Sequence, residues 1–350
     1  MAYTDIDDPS AYFQTTLYTG NGQAGHAITN SGNSDLAPNW VWIKQRNGTG
    51  THRITDSVRG VQDELIANDT TAEDTNGGGL SAFGSDGFTL GDSGAYNGNN
   101  NTYVAWNWKA GTSFSNSAGA NGANLASTGS VSTTAGFSIV SFTGNRDETR
   151  TVFHGLGVVP KMIIFKNRAS TNGWTIYNET IGNAKKLTLN NTSAAGNCTA
   201  CFAGTTPTAA VFTVGDDGDT NGGGEAMIAY CFADVQGYSK VGSYIGNGNV
   251  SGTFCYLGFK PAWIMFKQTN TTSNWTIYDT TRDTFNVMED KIHPNTNGAE
   301  SDFTGLDALS NGFKFRTNEG TFNASGGSFI FMAFAEQPFV TSTGIPGTAR

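Results

Sequence analysis

Charge is scarce in this chain. Asp, Glu, Lys and Arg make up 14% of its 350 residues, where an average soluble chain carries roughly a quarter. With so few charges to line solvated helix faces, a coiled coil or helical bundle is excluded. No basic run exceeds the pair Lys185 and Lys186, and the net charge is −9. The electrostatic footprint for a phosphate backbone is therefore missing, and nucleic acid is not expected as a partner. No run of about 18 apolar residues occurs, so no membrane insertion by a helix is expected. Residues 1–10, MAYTDIDDPS, lack the basic and apolar regions of a secretory signal. Four cysteines (Cys198, Cys201, Cys231 and Cys255) are too few to staple a domain of this size, and we expect synthesis in a reducing cytoplasm.

Glycine and aromatics fill the gap. There are 46 glycines, and 12% of residues are aromatic, more than a disordered low-complexity chain carries. The glycines cluster with Asn, Ser, Thr and Asp between short apolar runs, which is turn chemistry between strands. An all-β fold follows.

The apolar runs recur. A proline, an apolar stretch and a lysine appear with the same internal spacing at Pro38–Lys44, Pro160–Lys166 and Pro261–Lys267. A second apolar run ends at Trp108, Phe232 and Phe334, which lie 64, 66 and 67 residues beyond those lysines. Between them come Gly87–Leu90, Val211–Val214 and Gly312–Phe315, and upstream a strand enters a glycine turn at Gly20-Asn-Gly22, Gly144-Asn145 and Gly246-Asn-Gly248. Trp174-Thr-Ile-Tyr177 matches Trp275-Thr-Ile-Tyr278, where the first copy has only His52-Arg-Ile-Thr55. This self-similarity predicts three tandem modules of about 100 residues each. We place them at residues 1–112, 136–237 and 238–340, with a Ser, Gly, Ala and Asn-rich linker at 113–135 and a tail at 341–350. In the Pro-to-Lys strand both alternating faces are apolar, which requires cover on two sides. Each module is most simply an antiparallel β-sandwich of jelly-roll or lectin-like form.

Candidate chemistry is sparse. Gly20-Asn-Gly22-Gln-Ala-Gly25 matches the dinucleotide fingerprint, but no helix follows it. The matching Gly246-Asn-Gly248 reads instead as an Asn-Gly hairpin turn with positive φ at both central residues. Ser93 sits in Gly91-Asp-Ser-Gly94, which resembles a protease nucleophile loop, yet the matching loop holds Asp217. The four histidines (His26, His52, His154 and His293) have no metal-ligand spacing, and His154 reads as a packed turn histidine. Cys198-Thr-Ala-Cys201 has no second pair and no βαβ context, so neither a zinc ribbon nor a thioredoxin site follows. Asp217, Asp219 and Asn221 alternate as the first half of a calcium loop does, and they are the candidate metal ligands. No glutamate falls at the twelfth position, and a solvated hairpin loop is the plainer reading. Acidic pairs for glycoside hydrolysis fall only in glycine-rich loops. No catalytic residue, cofactor or enzymatic activity is expected. Tyr96, Trp174 and Trp275 are the candidate surface-binding residues, because a flat ring suits the C–H face of a sugar. Trp40 and Trp106, within strands, read as core.

Several of these motifs together carry a resemblance: Tyr18–Gly22, Trp42-Ile-Lys-Gln-Arg46, Trp106-Asn-Trp-Lys-Ala-Gly111, and Gly258–Ala262 with Trp275–Asp279. Over nearly the whole chain the sequence resembles a family encoded by tailed bacteriophages of marine bacteria, a domain of unknown function in proteins taken to be virion components or tail fibres. The resemblance implies a structural protein on the virion exterior, a tail fibre, spike or head decoration that presents variable loops for host attachment. The partners implied are other virion proteins and a host-surface glycan, with a homo-oligomer, by analogy a trimer. Three tandem modules supplying threefold character within one chain are the alternative to that trimer. A soluble carbohydrate-binding, lectin-like module is the alternative function.

Overall fold

The computed structural model describes residues 2–348. In chain order the strands of the first third are β1 (Phe13–Thr19), β2 (His26–Ile28), β3 (Trp40–Gln45), β4 (Arg53–Asp56), β5 (Gly60–Ile66), β6 (Asp74–Thr75), β7 (Leu80–Phe83), β8 (Phe88–Leu90) and β9 (Thr102–Trp108). The next are β10 (Thr112–Asn116), β11 (Ser127–Ser132), β12 (Phe137–Thr143), β13 (Arg150–Phe153), β14 (Met162–Asn167), β15 (Thr175–Asn178), β16 (Lys185–Thr188), β17 (Gly196–Asn197), β18 (Val211–Val214) and β19 (Ala226–Phe232). The last are β20 (Ser239–Ile245), β21 (Phe254–Tyr256), β22 (Phe259–Gln268), β23 (Thr276–Asp279), β24 (Met288–Lys291), β25 (Ser301–Leu309), β26 (Gly312–Phe315) and β27 (Ser328–Pro338). Helix is confined to single turns, α1 (Gly94–Asn97), α2 (Thr199–Phe202), α3 (Gly218–Asn221), α4 (Gly320–Asn323) and a 3-10 turn at Pro9–Ala11. The fold is all-β, as its turn-rich composition requires.

Three sheets share one strand order. They run β1-β9-β3-β4-β5, β12-β19-β14-β15-β16 and β20-β27-β22-β23, with every pairing antiparallel. The registers correspond too: Trp40 faces Trp108, Met162 faces Phe232 and Trp263 faces Phe334. Smaller sheets, β2-β8-β7, β13-β18 and β21-β26-β25-β24, cover the outer faces.

The strand period sorts the side chains between layers. Trp40, Trp42, Met162, Ile164, Trp263 and Met265 join one central core to which all three large sheets contribute, with Trp106, Trp108, Tyr230, Phe232 and Phe334. Their neighbours in sequence point the other way, into three separate outer cores. Val41 and Ile43 pack with Phe88, Ile163 and Phe165 with Phe212, and Ile264 and Phe266 with Phe313. Truncating one such buried ring to alanine costs about 3–5 kcal/mol.

Residues 113–135, expected as a flexible or surface-hugging linker, contain most of β10 and all of β11, and β11 pairs with β12 so that the second large sheet extends by two strands. Main-chain hydrogen bonds hold a marginal strand without the apolar alternation that would have announced it. Phe114, Leu125 and Val131 anchor it to the outer core. Gly129 is required where it stands, because a Cβ there would lie 2.1 Å from the Ile139 carbonyl oxygen. Cys198 and Cys201, expected as reduced thiols, are joined in a disulfide; their Cα atoms are 5.4 Å apart around the start of α2, within bridging range. Cys231 and Cys255 are buried and free. The tail, residues 341–350, folds back through residue 348, with Ser342 N–H on Asp7 Oδ1 at 2.6 Å and Gly347 N–H on the Phe339 carbonyl at 2.8 Å. Residues 349 and 350 of that tail lie outside the described residues, as does Met1.

Candidate functional site

The three aromatic candidates for surface binding are not at the surface. Tyr96 is 1% exposed, and Trp174 and Trp275 are fully buried. An indole N–H in an apolar core needs an acceptor, and here a distant stretch of the chain supplies it. Trp174 Nε1 donates to the Ile66 carbonyl at 2.8 Å and Trp275 Nε1 to the Thr188 carbonyl at 2.9 Å. Tyr96 packs in the outer core of the first third, with its hydroxyl 3.4 Å from Thr55 Oγ1. No sugar-stacking platform is formed by these residues.

The calcium candidates do not converge either. Asp217 caps α3 through the Asp219 N–H at 2.9 Å, and its other oxygen lies 3.7 Å from Cys198 Sγ. Asp219 is taken by Lys186 at 2.7 Å and Asn172 at 2.8 Å. Asn221 is buried and serves the main chain. Each side chain has its own structural partner, so the alternation in sequence does not become a ligand shell.

His154 behaves as a packed turn histidine. It is buried, with Nε2 3.1 Å from the Thr208 carbonyl and Nδ1 accepting from Leu156 N–H at 3.2 Å, and burial pulls its pKa down to about 4. Ser93 is the N-cap of α1, the place Asp217 holds at α3 and Glu319 at α4. The glycine loops are turns in which the residue after the asparagine takes positive φ, Gly22 (φ 68°), Arg146 (φ 63°) and Gly248 (φ 64°). Asn21 and Asn247 do not, so the expected pair of left-handed residues is corrected to one. A buried asparagine closes these loops instead of turn geometry alone. Asn97, Asn221 and Asn323 each accept the N–H of an asparagine 76 residues earlier, Asn21, Asn145 and Asn247, at 2.9 Å. Each then donates Nδ2 to two main-chain carbonyls, those of Gln23 and Gly91, Asp147 and Gly215, or Asn249 and Thr317. The identical 76-residue interval was the signal in the sequence for these residues.

What the sheets bring together is a closed set of joints. Three hydrogen bonds run in one sense: from Trp174 to Ile66, from Trp275 to Thr188, and between His52 Nε2 and the His293 carbonyl at 3.2 Å. Three main-chain bonds lie beside them, Glu73 N–H to Arg168 O, Ala195 N–H to Thr269 O and Glu300 N–H to Arg46 O, at 2.8, 2.8 and 2.9 Å. Thus the first third contacts the second, the second contacts the third, and the third returns to the first.

Charge is buried at two of these joints. Arg59 pairs with Asp56 at 2.5 Å and Glu73 at 2.9 Å, and Arg168 reaches the same Glu73 at 2.5 Å. Arg282 pairs with Asp279 at 2.5 Å and Glu300 at 2.9 Å, and Arg46 reaches that Glu300 at 2.6 Å. Asp56 also accepts from the Tyr230 hydroxyl at 2.7 Å, and Asp279 from Trp106 Nε1 at 3.0 Å. At the third joint the corresponding residues are neutral, namely Asn178, Ile181, Ala195, Thr269 and Met332. Burial alone would raise the Glu300 carboxyl, but Arg46 and Arg282 outweigh it and hold it low. Asp290, 3.7 Å from Arg46, is pushed up to about 6 by burial and by Glu300 and Asp283. Lys44, Lys166 and Lys267 are the penultimate residues of β3, β14 and β22 and are each lowered to about 8 by burial, with their ammonium groups on main-chain carbonyls. Lys166 and Lys267 also reach across joints to the Thr70 and Thr192 carbonyls at 3.0 and 3.4 Å.

A polar cleft of about 570 Å³ opens in the first third, lined by Arg53, Glu64, Thr71, Asn76 and Ser93. Arg53 and Glu64 pair across it. No helix among the described residues is long and apolar enough to cross a membrane.

No curated protein and no solved structure matches the chain. A family described as "Domain of unknown function (DUF7483)" matches residues 8–338, and the chain belongs to that family.

Proposed function

We propose that the protein is a structural component of the exterior of a tailed-phage particle, built as three copies of one β unit closed on themselves within a single chain. The observation that carries the structural role is the cycle of joints. Each large sheet binds the next through a side-chain N–H and a main-chain pair, and the last returns to the first. The shared strand order, the matched registers and the repeated 76-residue asparagine pairing support three copies of one unit. Buried carboxylates and guanidinium groups spent on joints suit a rigid scaffold, whose function then falls to loops carried on its rim. The motif resemblance supports the virion placement and host-surface attachment. With the threefold character supplied inside one chain, the unit that assembles with other virion proteins is a single chain.

Immunogold electron microscopy with antibody against the chain tests this reading on particles of the phage that encodes it. Label is expected on the particle exterior. Gold on the head makes it a decoration or head fibre, and gold at the tail makes it an adhesin. Particles without label contradict the proposal. A second reading, a glycan-binding module, draws support from the polar cleft at Arg53, Glu64 and Asn76. It requires glycan affinity that Asn76→Ala abolishes.

A further inference from the structure

The second third of the chain is clasped along one side, and the third is not. Residues 124–132 lie along both layers there. Strand β11 pairs with the inner strand β12, from Ser127 opposite Phe142 to Ser132 opposite Phe137. Just before it, Leu125 bridges to Val152 of the outer strand β13, Asn124 Oδ1 accepts from Thr151 N–H at 2.7 Å, and Ser127 Oγ donates to the Phe153 carbonyl at 3.0 Å. Phe114 of β10 closes edge-on over Phe153, with ring centroids 5.6 Å apart.

In the last third the corresponding strands are β20 and β21. Register fixes the correspondence. Ser239 faces Phe334 as Phe137 faces Phe232, and Tyr256 faces Gly312 as Phe153 faces Val211. Both strands end their sheets, and they lie side by side: Thr253 Oγ1 donates to the Ile245 carbonyl at 2.8 Å and Lys240 Nζ to the Tyr256 carbonyl at 2.9 Å. Apolar side chains stand open on this margin, with Ile245 58% exposed, Tyr256 51% and Phe254 43%. Among the described residues, Lys240 Nζ lies 5.4 Å over the Tyr256 ring, Tyr3 donates to the nearby Gly258 carbonyl and Val235 bridges Ser239, but no strand pairs with β20 or β21 on this side. Between β9 and β12 the chain spends residues 109–136, which include the clasp, whereas only residues 233–238 join β19 to β20. The C-terminal residues turn back at Gly258, where its carbonyl accepts from Phe339 N–H.

We infer that the β20–β21 margin is a docking site for an extended, Ser/Thr/Gly-rich segment of a partner polypeptide, which adds to β20 antiparallel and lays one aromatic ring on Tyr256, as residues 112–132 do on the second third. Adding a strand supplies main-chain bonds for affinity and a side-chain pocket for selectivity. An exposed, apolar margin left bare is otherwise an invitation to unspecific pairing. Asp234, whose carboxylate now accepts from Val241 N–H at 2.7 Å, holds the place that an incoming carbonyl would take. The inference stands on register correspondence and does not depend on where in a particle the protein sits.

A synthetic peptide with the sequence of residues 112–132 is the probe, titrated into the full chain and followed by fluorescence anisotropy and hydrogen–deuterium exchange. A dissociation constant of about 10–500 µM is expected for such a short strand. Exchange should slow over residues 239–245 and 254–256. Ser243→Pro, which removes an edge donor, and Tyr256→Ala should each weaken binding by about tenfold or more. The inference is overturned by no binding at about 1 mM, or by protection confined to residues 137–143, where the peptide would merely exchange with the chain's own clasp. Protection of 239–245 that rises with protein concentration in the absence of peptide also overturns it, because a second copy then occupies the edge. The exchange pattern of the wild-type chain decides the matter even if a variant fails to fold.

Discussion

Trp174 and Trp275 show how much a residue's surroundings decide. From sequence, an aromatic flanked by Asn, Gly and Thr reads as a loop ring free to stack on a sugar. In the fold each is a bolt, its ring in the central core and its N–H on a carbonyl more than 80 residues away. No local pattern announces an acceptor that only the tertiary fold brings near. His52 takes the same place in the first third and does the same work with a smaller ring, also accepting from Trp42 Nε1 at 3.0 Å. The histidines bear on pH dependence. Burial holds His154 at about 4 and lowers His52 and His293 as well. An unfolded chain with ordinary histidines near 6.5 then binds more protons below that value, so stability present above pH 6.5 is lost as pH falls toward 4. Asp290, raised to about 6, works the opposite way between roughly pH 4 and 6. Urea midpoints should therefore fall between pH 7 and pH 5, with His154 responsible for up to roughly 2 kcal/mol at pH 5. His154→Gln should flatten that slope, and an unchanged slope would refute the assignment.

At the scale of elements, the Pro-to-Lys runs became β3, β14 and β22, and the second apolar runs became their neighbours β9, β19 and β27. These were legible because apolar residues on both faces of a short run admit only a covered strand. The β10–β11 hairpin was not legible, since its stability comes from main-chain pairing to an existing edge and from three apolar anchors scattered through polar sequence. The asparagine locks fall between these cases. Their interval is visible in the sequence, but an asparagine in a Gly-rich loop gives no hint that it is buried. Asn323 ties α4 to the turn after β20, donating to Asn249 O and Thr317 O at 2.9 Å and accepting from Asn247 N–H. Asn323→Ala leaves those buried groups without partners and should cost about 3 kcal/mol, with faster exchange at residues 246–249. A cost below about 1 kcal/mol would mean the turn holds itself together.

At the scale of the whole molecule, the self-similarity of the sequence is matched by a shared strand order in three large sheets, but nothing in it says how those sheets meet. Tandem β units joined by linkers ordinarily suggest beads on a string. The residues that close the cycle here carry no joint signature of their own: the Asp-x-x-Arg steps at Asp56 and Asp279, Arg46 and Arg168, and the carboxylates Glu73 and Glu300 are scattered along the sequence, and only the fold pairs them. The neutral joint between the second and third large sheets is held by packing and the Trp275 bond without the ion pairs of the other two, in keeping with buried pairs contributing specificity more than net stability.

Small-angle scattering on the full chain in dilute solution tests the closed arrangement most directly. A single chain of 36.9 kDa folded into one closed body should give a radius of gyration of about 20 Å, unchanged on dilution. A value near 30 Å with the profile of a string of beads, or a mass about three times larger, would contradict the claim that one chain closes on itself.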